Sequence, residues 1–216
     1  GPDVHGSGVD LHVRVAVGAG SYVSGEETAL LNGLEGLRGV VRPRPPYPVE
    51  RGLFGRPTVV NNVETIAAVP WIVQHGGDDY AAMGTPDQPG TLVVCLSERF
   101  ARPGAYEVEP GISLRRVVED LGGGLREGAV LRALQVGGPL GGFLSPEELD
   151  TPLTEAALAE RGAALGHAGI VAFDQRLTGE QVLANLWAFA ETESCGQCSP
   201  CRVGSRLGSL LAAGPV

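Results

Sequence analysis

The chain has 216 residues, 33 of them Gly and 16 Pro, and its 25 acidic against 16 basic side chains give a formal net charge of −9. Every basic residue is Arg, and 43% hydrophobic content is ample for a packed core, which excludes the disordered and collagen-like classes. No window approaches the roughly 18 apolar residues of a membrane span, no secretory leader pattern opens the chain, and the acidic balance offers no electrostatic footprint for nucleic acid. The composition therefore predicts a soluble cytoplasmic protein without direct membrane insertion. The sole methionine is Met83, so the chain reads as a piece of a longer polypeptide.

In chain order, Leu11, Val13, Val15 and Val17 alternate with His12, Arg14 and Ala16, which predicts a half-buried strand. A Gly18-Ala19-Gly20 break follows. Ser24 and Glu27 have the spacing of a capping box, and Ala29, Leu30, Leu34 and Leu37 then recur at helical spacing. Four prolines within residues 43–48 exclude regular helix and central strand, so this segment is expected to be a stiff extended loop. Asn62 is the expected N-cap of a helix over residues 63–74.

Residues 76–90, rich in Gly, Asp and Pro, are expected to be a loop between domains. Beyond them the pattern predicts strands over 91–96, 105–108 and 131–136, with a helix over 113–121 between the second and third. A glycine-rich turn at 137–142 follows. A strand over 169–173 and a helix over 179–192 lead into the cysteines. The expected fold class is thus α/β followed by α+β.

Chemistry is concentrated in two places. Cys195, Cys198 and Cys201 stand at C-x2-C-x2-C spacing, which suits three corners of an iron–sulfur cubane, while a structural zinc site or a redox C-x-x-C pair remain alternatives. Cys95 lies on an apolar strand and is expected to be a buried core thiol. The second place is the turn from Gly18 to Glu27, where glycines before a helix start allow close approach of a flat or phosphorylated ligand. Glu27 and Glu26 also have plain readings there, as a capping-box acid and a first-turn acid favoured by the helix dipole. Trp71 and Trp187 read as core or interface anchors, and His167 as a turn residue.

The run SYVSGEETALLNGLEG, the proline loop ending in Pro45-Pro46-Tyr47-Pro48, the segment GRPTVVNNVET and the terminal ESCGQCSPCR occur in order over nearly the whole chain. Together they resemble the flavin-bearing, NADH-oxidising subunit of respiratory complex I. They equally resemble the diaphorase subunits of NAD-reducing hydrogenases and NAD-dependent formate dehydrogenases. The resemblance implies part of a Rossmann-like FMN domain (1–82), a soluble ligand-binding β-grasp domain (83–163) and the start of a 4Fe-4S helical domain (164–216).

It also implies FMN and a 4Fe-4S cluster as cofactors and NADH as substrate. Of the two catalytic positions it implies, Glu27 matches the acid that contacts NADH and Tyr22 a residue beside the nicotinamide; Tyr22, Gly25, Glu26, Glu27, Asn61, Asn62 and Thr65 are implied to bind the cofactors. Arg44, where the family often has Lys, lies near the dinucleotide, and Tyr47 beside the adenine. Cys195, Cys198 and Cys201 ligate the cluster, with the fourth cysteine expected beyond Val216. Implied partners are a 2Fe-2S thioredoxin-like subunit and a larger iron–sulfur subunit of a multi-subunit complex. The family's Gly-rich phosphate loop has no counterpart in this sequence, and Ser24 stands where the complex I branch commonly has Cys. The competing reading is a non-catalytic paralogue that acts as a binding or assembly module.

Overall fold

The structure, a computed structural model, describes residues 1–18 and 20–214. The chain divides into two compact units, one of residues 1–60 with 190–216 and the other of residues 61–189.

In the first unit the described residues form helices and irregular chain but no strand. The strand expected over residues 11–17 is not formed: Val13, Val15 and Val17 are more than four-fifths exposed and lie in irregular backbone. Apolar alternation makes a strand only where a neighbouring edge pairs it and a core takes its apolar face, and among the described residues of this unit no strand pairs the segment and its valines stay exposed. A single 3-10 turn, Tyr22–Gly25, leads into helix α1, Glu27–Leu34.

Here too the structure corrects the expectation. The N-cap is Glu26, whose carboxylate accepts from the N–H groups of Thr28 (3.0 Å) and Ala29 (2.9 Å), whereas Ser24 pairs its hydroxyl with that of Ser21. With Glu26 as N-cap the helix starts two residues later than a Ser24/Glu27 box would place it, and the acid side chain satisfies the orphan amides of that later first turn. α1 stops at Leu34, before Gly36 turns the chain at φ 77°, so Leu37 lies outside it. The proline-rich loop is irregular through Pro46, and Pro48 then opens a short helix, α2, Pro48–Arg51. Pro suits a first helical position because the N–H it lacks would have had no partner there.

The second unit opens with α3, Val63–His75, capped as expected by Asn62, whose Oδ1 accepts from Glu64 N–H at 2.8 Å. Residues 76–90 are more ordered than their composition suggests. They hold α4, Gly77–Ala81, and a two-stranded antiparallel pair, β1 (Gly84–Thr85) and β2 (Gln88–Pro89).

A five-stranded sheet follows: β3 (Leu92–Leu96), β4 (Gly104–Val108), β5 (Leu131–Val136), β6 (Gly142–Leu144) and β7 (Gly169–Asp174) in the order β4-β3-β7-β5-β6. β3 and β7 run parallel and the other pairs are antiparallel. α5, Leu114–Arg116, continues into a π-type turn, Val117–Leu121, so the predicted helix is present but loosened in its second half. α6, Glu155–Ala159, completes the α+β module.

The alternation of β3 explains its packing. Leu92, Val94 and Leu96 enter a core with Phe100, Leu114, Leu134, Val136, Leu144, Leu158 and Ile170. Each fully buried Leu, Ile or Phe contributes about 1.5–3 kcal/mol of transfer free energy. Cys95 faces the other way and is exposed, so it is not the core thiol its apolar strand suggests. Its neighbours on β3 are buried, and period-2 geometry sends it to the opposite face. α7, Gly179–Glu193, and α8, Ser199–Ala212, flank the cysteine loop. Among the described residues no helix is long and apolar enough to cross a membrane.

Candidate functional site

The turn from Tyr22 to Glu27 is held by a specific polar network. Glu26 Oε2 accepts the hydroxyl of Thr28 as well as two α1 amides, and its other oxygen pairs with Arg44. The same Arg44 Nη2 lies 3.0 Å from Glu27 Oε1, so one guanidinium spans both carboxylates. Partial burial alone pushes the Glu26 pKa up, but the Thr28 hydroxyl, the amides of Ala29 and Thr28 and the charge of Arg44 more than offset this and hold it below the ordinary carboxylate value.

Gly25 faces open space, since a Cβ added there would meet nothing within 4 Å. An open backbone patch beside the 43% exposed Tyr22 and a carboxylate–guanidinium group fits the chemistry of a planar, amide-bearing ring such as that of FMN. Tyr47 is exposed, with its N–H donating to Glu50 Oε2 at 2.9 Å. Asn61, Asn62 and Thr65 belong to the second unit and are exposed, with Asn62 serving as the α3 cap.

The cysteine run occupies the start of α8. Cys195 lies in irregular chain, Cys198 is the α8 N-cap residue and Cys201 lies in its first turn, so two of the three cysteines stand at a helix N-terminus. All three thiols are free. Ser194 Oγ is 3.4 Å from Cys201 Sγ, and Arg202 Nη1 donates to Gly196 O at 2.7 Å, closing the loop on itself. The donor set, three soft thiols of which two stand at the start of one helix, with an Arg nearby, fits the chemistry of three corners of an iron–sulfur cubane. As the loop stands, no three His, Cys, Asp or Glu side chains among the described residues are gathered closely enough to hold a metal ion.

One contact was not foreseen from local pattern. Tyr22 N–H donates to Glu193 Oε2 at 2.8 Å, across 171 residues of sequence, tying the turn to the chain two residues before Cys195. A cavity of about 770 Å³ is lined from the turn by Gly20, Ser21 and Ser24 and from the cysteine segment by Glu193, Ser194 and Cys195. Tyr22, Gly25, Glu26 and Glu27 do not line it. Glu193 was missed because it ends a helix in an unremarkable Thr-Glu-Ser context; only its position just before the cysteines could have drawn notice.

Residues 3–71 match the Nuo51 FMN-binding domain, and residues 181–212 match the NADH-ubiquinone oxidoreductase-F iron-sulfur binding region. The F subunit of the NADH-quinone oxidoreductase of Escherichia coli (strain K12) is 40% identical over 204 residues, which cover 94% of this chain and 46% of that protein. The chain is a homologue of these F subunits.

The corresponding F subunit of Mycobacterium bovis is 44% identical over 205 residues, 95% of this chain and 46% of its own length. The HndC subunit of the NADP-reducing hydrogenase of Solidesulfovibrio fructosivorans is 40% identical over 206 residues, 95% of this chain and 42% of its own. Among solved structures, an air-oxidised NAD+-reducing NiFe hydrogenase superposes with a TM-score of 0.80 at 42% identity, covering 92% of this chain and 34% of that one. The chain thus spans about half the length of the curated relatives it matches. The fold is accordingly of the mixed α/β kind found in that hydrogenase, and the relatives are named as subunits of larger assemblies.

Proposed function

We propose that this chain is part of an NADH dehydrogenase (diaphorase) subunit, and that its first unit carries the flavin turn and the approach to the cluster. The observation that carries the reading is the hydrogen bond from Tyr22 to Glu193, which joins the matched FMN segment to the matched iron–sulfur segment inside one compact unit. When bound, FMN would supply hydride acceptance from NADH and the 4Fe-4S cluster a one-electron outlet toward a partner subunit.

The chain's own residues bind and orient. Gly25 leaves the approach open, Tyr22 offers an aromatic edge, and Glu27 offers a carboxylate for ribose hydroxyls, held in place by Arg44. Asn61, Asn62 and Thr65 are proposed as further flavin hydrogen-bonding groups, and Tyr47 as an aromatic neighbour of the adenine. Arg44 sets the charge beside the dinucleotide: with two carboxylates on one guanidinium the group stays net negative, which disfavours the additional phosphate of NADPH. Cys195, Cys198 and Cys201 would hold three corners of the cluster, with Arg202 fixing their loop. The proposed partners are iron–sulfur subunits of a multi-subunit complex that accept the electrons, at the cytoplasmic face of a membrane where that complex is membrane-bound.

The test is anaerobic reconstitution of the complete natural polypeptide with FMN, iron and sulfide. NADH is expected to reduce ferricyanide at least about tenfold faster than NADPH at equal concentration, with a reduced-cluster EPR signal. Equal rates with NADPH would remove the nucleotide preference. Absence of both turnover and EPR signal would favour a non-catalytic module.

A further inference from the structure

The formal charge is unevenly divided. The first unit carries eight acidic residues and eight arginines, whereas the second carries seventeen acidic residues against eight arginines, so the whole net charge of −9 resides on the second unit. On that unit, away from the flavin turn and the cysteines, lies a cleft of about 400 Å³ between α3, α4 and the β3–β4 edge of the sheet.

Its construction is specific. Along α3, Glu64, Ala67, Ala68 and Trp71 follow the i, i+3, i+4, i+7 spacing of one helix face, and the two alanines leave room between the carboxylate and the indole. Glu64 is fixed by accepting Val93 N–H at 3.1 Å, and Glu107 by the Thr91 hydroxyl at 2.6 Å. Trp71 is stacked on His75 (centroids 4.4 Å, 19°) and lies 6.0 Å from the tilted ring of Tyr80. Tyr80 in turn is seated over Gly90, where φ is 89° and a Cβ would come within 2.2 Å of the phenol. Met83 and Leu92 complete the apolar wall, and no Arg or His lines the cleft.

Two fixed carboxylates beside two aromatic faces, on the unit that carries all the net negative charge, are complementary to a flat cation on an apolar stem. We propose that this cleft receives an arginine side chain from a basic segment of a partner polypeptide, its guanidinium lying against Trp71 and Tyr80 and its charge facing Glu64 and Glu107. Guanidinium suits the site better than ammonium because it is planar, stacks on aromatic rings and donates in a fork to a carboxylate. This inference is independent of the hydride chemistry proposed for the first unit.

The chain has two tryptophans, so its 1H–15N spectrum carries two indole N–H resonances, which a Trp71→Phe variant assigns. The probe is the peptide Ac-Gly-Arg-Gly-NH2 added to the unsubstituted chain. The Trp71 indole is expected to shift saturably while the Trp187 indole does not. The isosteric citrulline peptide should bind about tenfold more weakly, and a Glu64→Gln/Glu107→Gln variant, which keeps both fixing acceptors, should weaken the Arg peptide by a similar factor.

Equal shifts with citrulline would overturn the proposal, as would equal movement of both indoles. Tetramethylammonium binding as tightly as the Arg peptide would instead mark a small-cation site. Movement of the Trp71 resonance with protein concentration alone would mark a second copy of this chain. Either result removes the arginine of a partner as the occupant.

Discussion

The backbone N–H of Tyr22 is bound to the carboxylate of Glu193 at 2.8 Å, so the residue that opens the turn before α1 and the residue that closes the last helix before the cysteines form one polar contact. A charge-assisted bond to a half-buried carboxylate fixes the turn from the side of the iron–sulfur segment, and it uses main chain on the turn side, so no substitution of Tyr22 other than Pro abolishes the donor.

Glu193→Ala is therefore expected to loosen both segments at once. The loss should be about 1 kcal/mol of stability, read as a shift of the denaturation midpoint, together with lower iron retention after reconstitution. Glu193→Gln keeps an acceptor oxygen and should restore most of both. If iron content is unchanged in Glu193→Ala, the contact does not support the cysteine loop.

Arg44 spans Glu26 and Glu27, and its replacement tests positioning apart from folding. Arg44→Lys keeps the charge but concentrates it on one ammonium nitrogen, and Arg44→Ala leaves Glu26 and Glu27 without their shared cation. In the complete reconstituted polypeptide, Arg44→Ala is expected to raise KM for NADH about tenfold with kcat within about threefold, and Arg44→Lys to fall between. A fall in kcat with unchanged KM would place Arg44 in the hydride step itself.

Asp174 is fully buried at the end of β7 and is held down to about 2 by the Arg176 side chain and backbone N–H, with Arg99 3.6 Å away. Because its folded pKa lies below its unfolded value, its contribution to stability is whole above about pH 4 and is lost as pH falls through about 2. Asp174→Asn should lower the denaturation midpoint at pH 7 and flatten the acid limb between pH 4 and 2. An acid limb identical to that of the unsubstituted chain would show that other carboxylates govern it.

What the sequence revealed follows from how local each signal is. β3, β5 and β7 have alternating or continuous apolar residues bounded by turns, and α3 has Asn62 beside its first turn, so both kinds of element are legible within a dozen residues. Val13, Val15 and Val17 show the opposite case: their alternation states a preference for a sheet face, but pairing depends on a strand that must come from elsewhere. Cys95 was misjudged because an apolar run does not say which of its two faces is covered. β6 and α6 were missed for their brevity, having only three and five residues over which to show a period.

In the site, the Glu26, Glu27 and Cys195 motifs were visible as residue types at fixed spacing. Glu193 was not, because its partner is 171 residues away and is a main-chain amide that every residue but proline owns.

The lysine-free composition has a further consequence in the ion pairs. Every ion pair described is made by an arginine, from Arg42 with Glu35 to Arg206 with Glu191. Guanidinium stays protonated throughout the range in which proteins remain folded. The charge that the arginines contribute to this molecule's electrostatic map is thus constant with pH. Amine-directed reagents and lysine-modifying enzymes find no side chain to act on within these 216 residues.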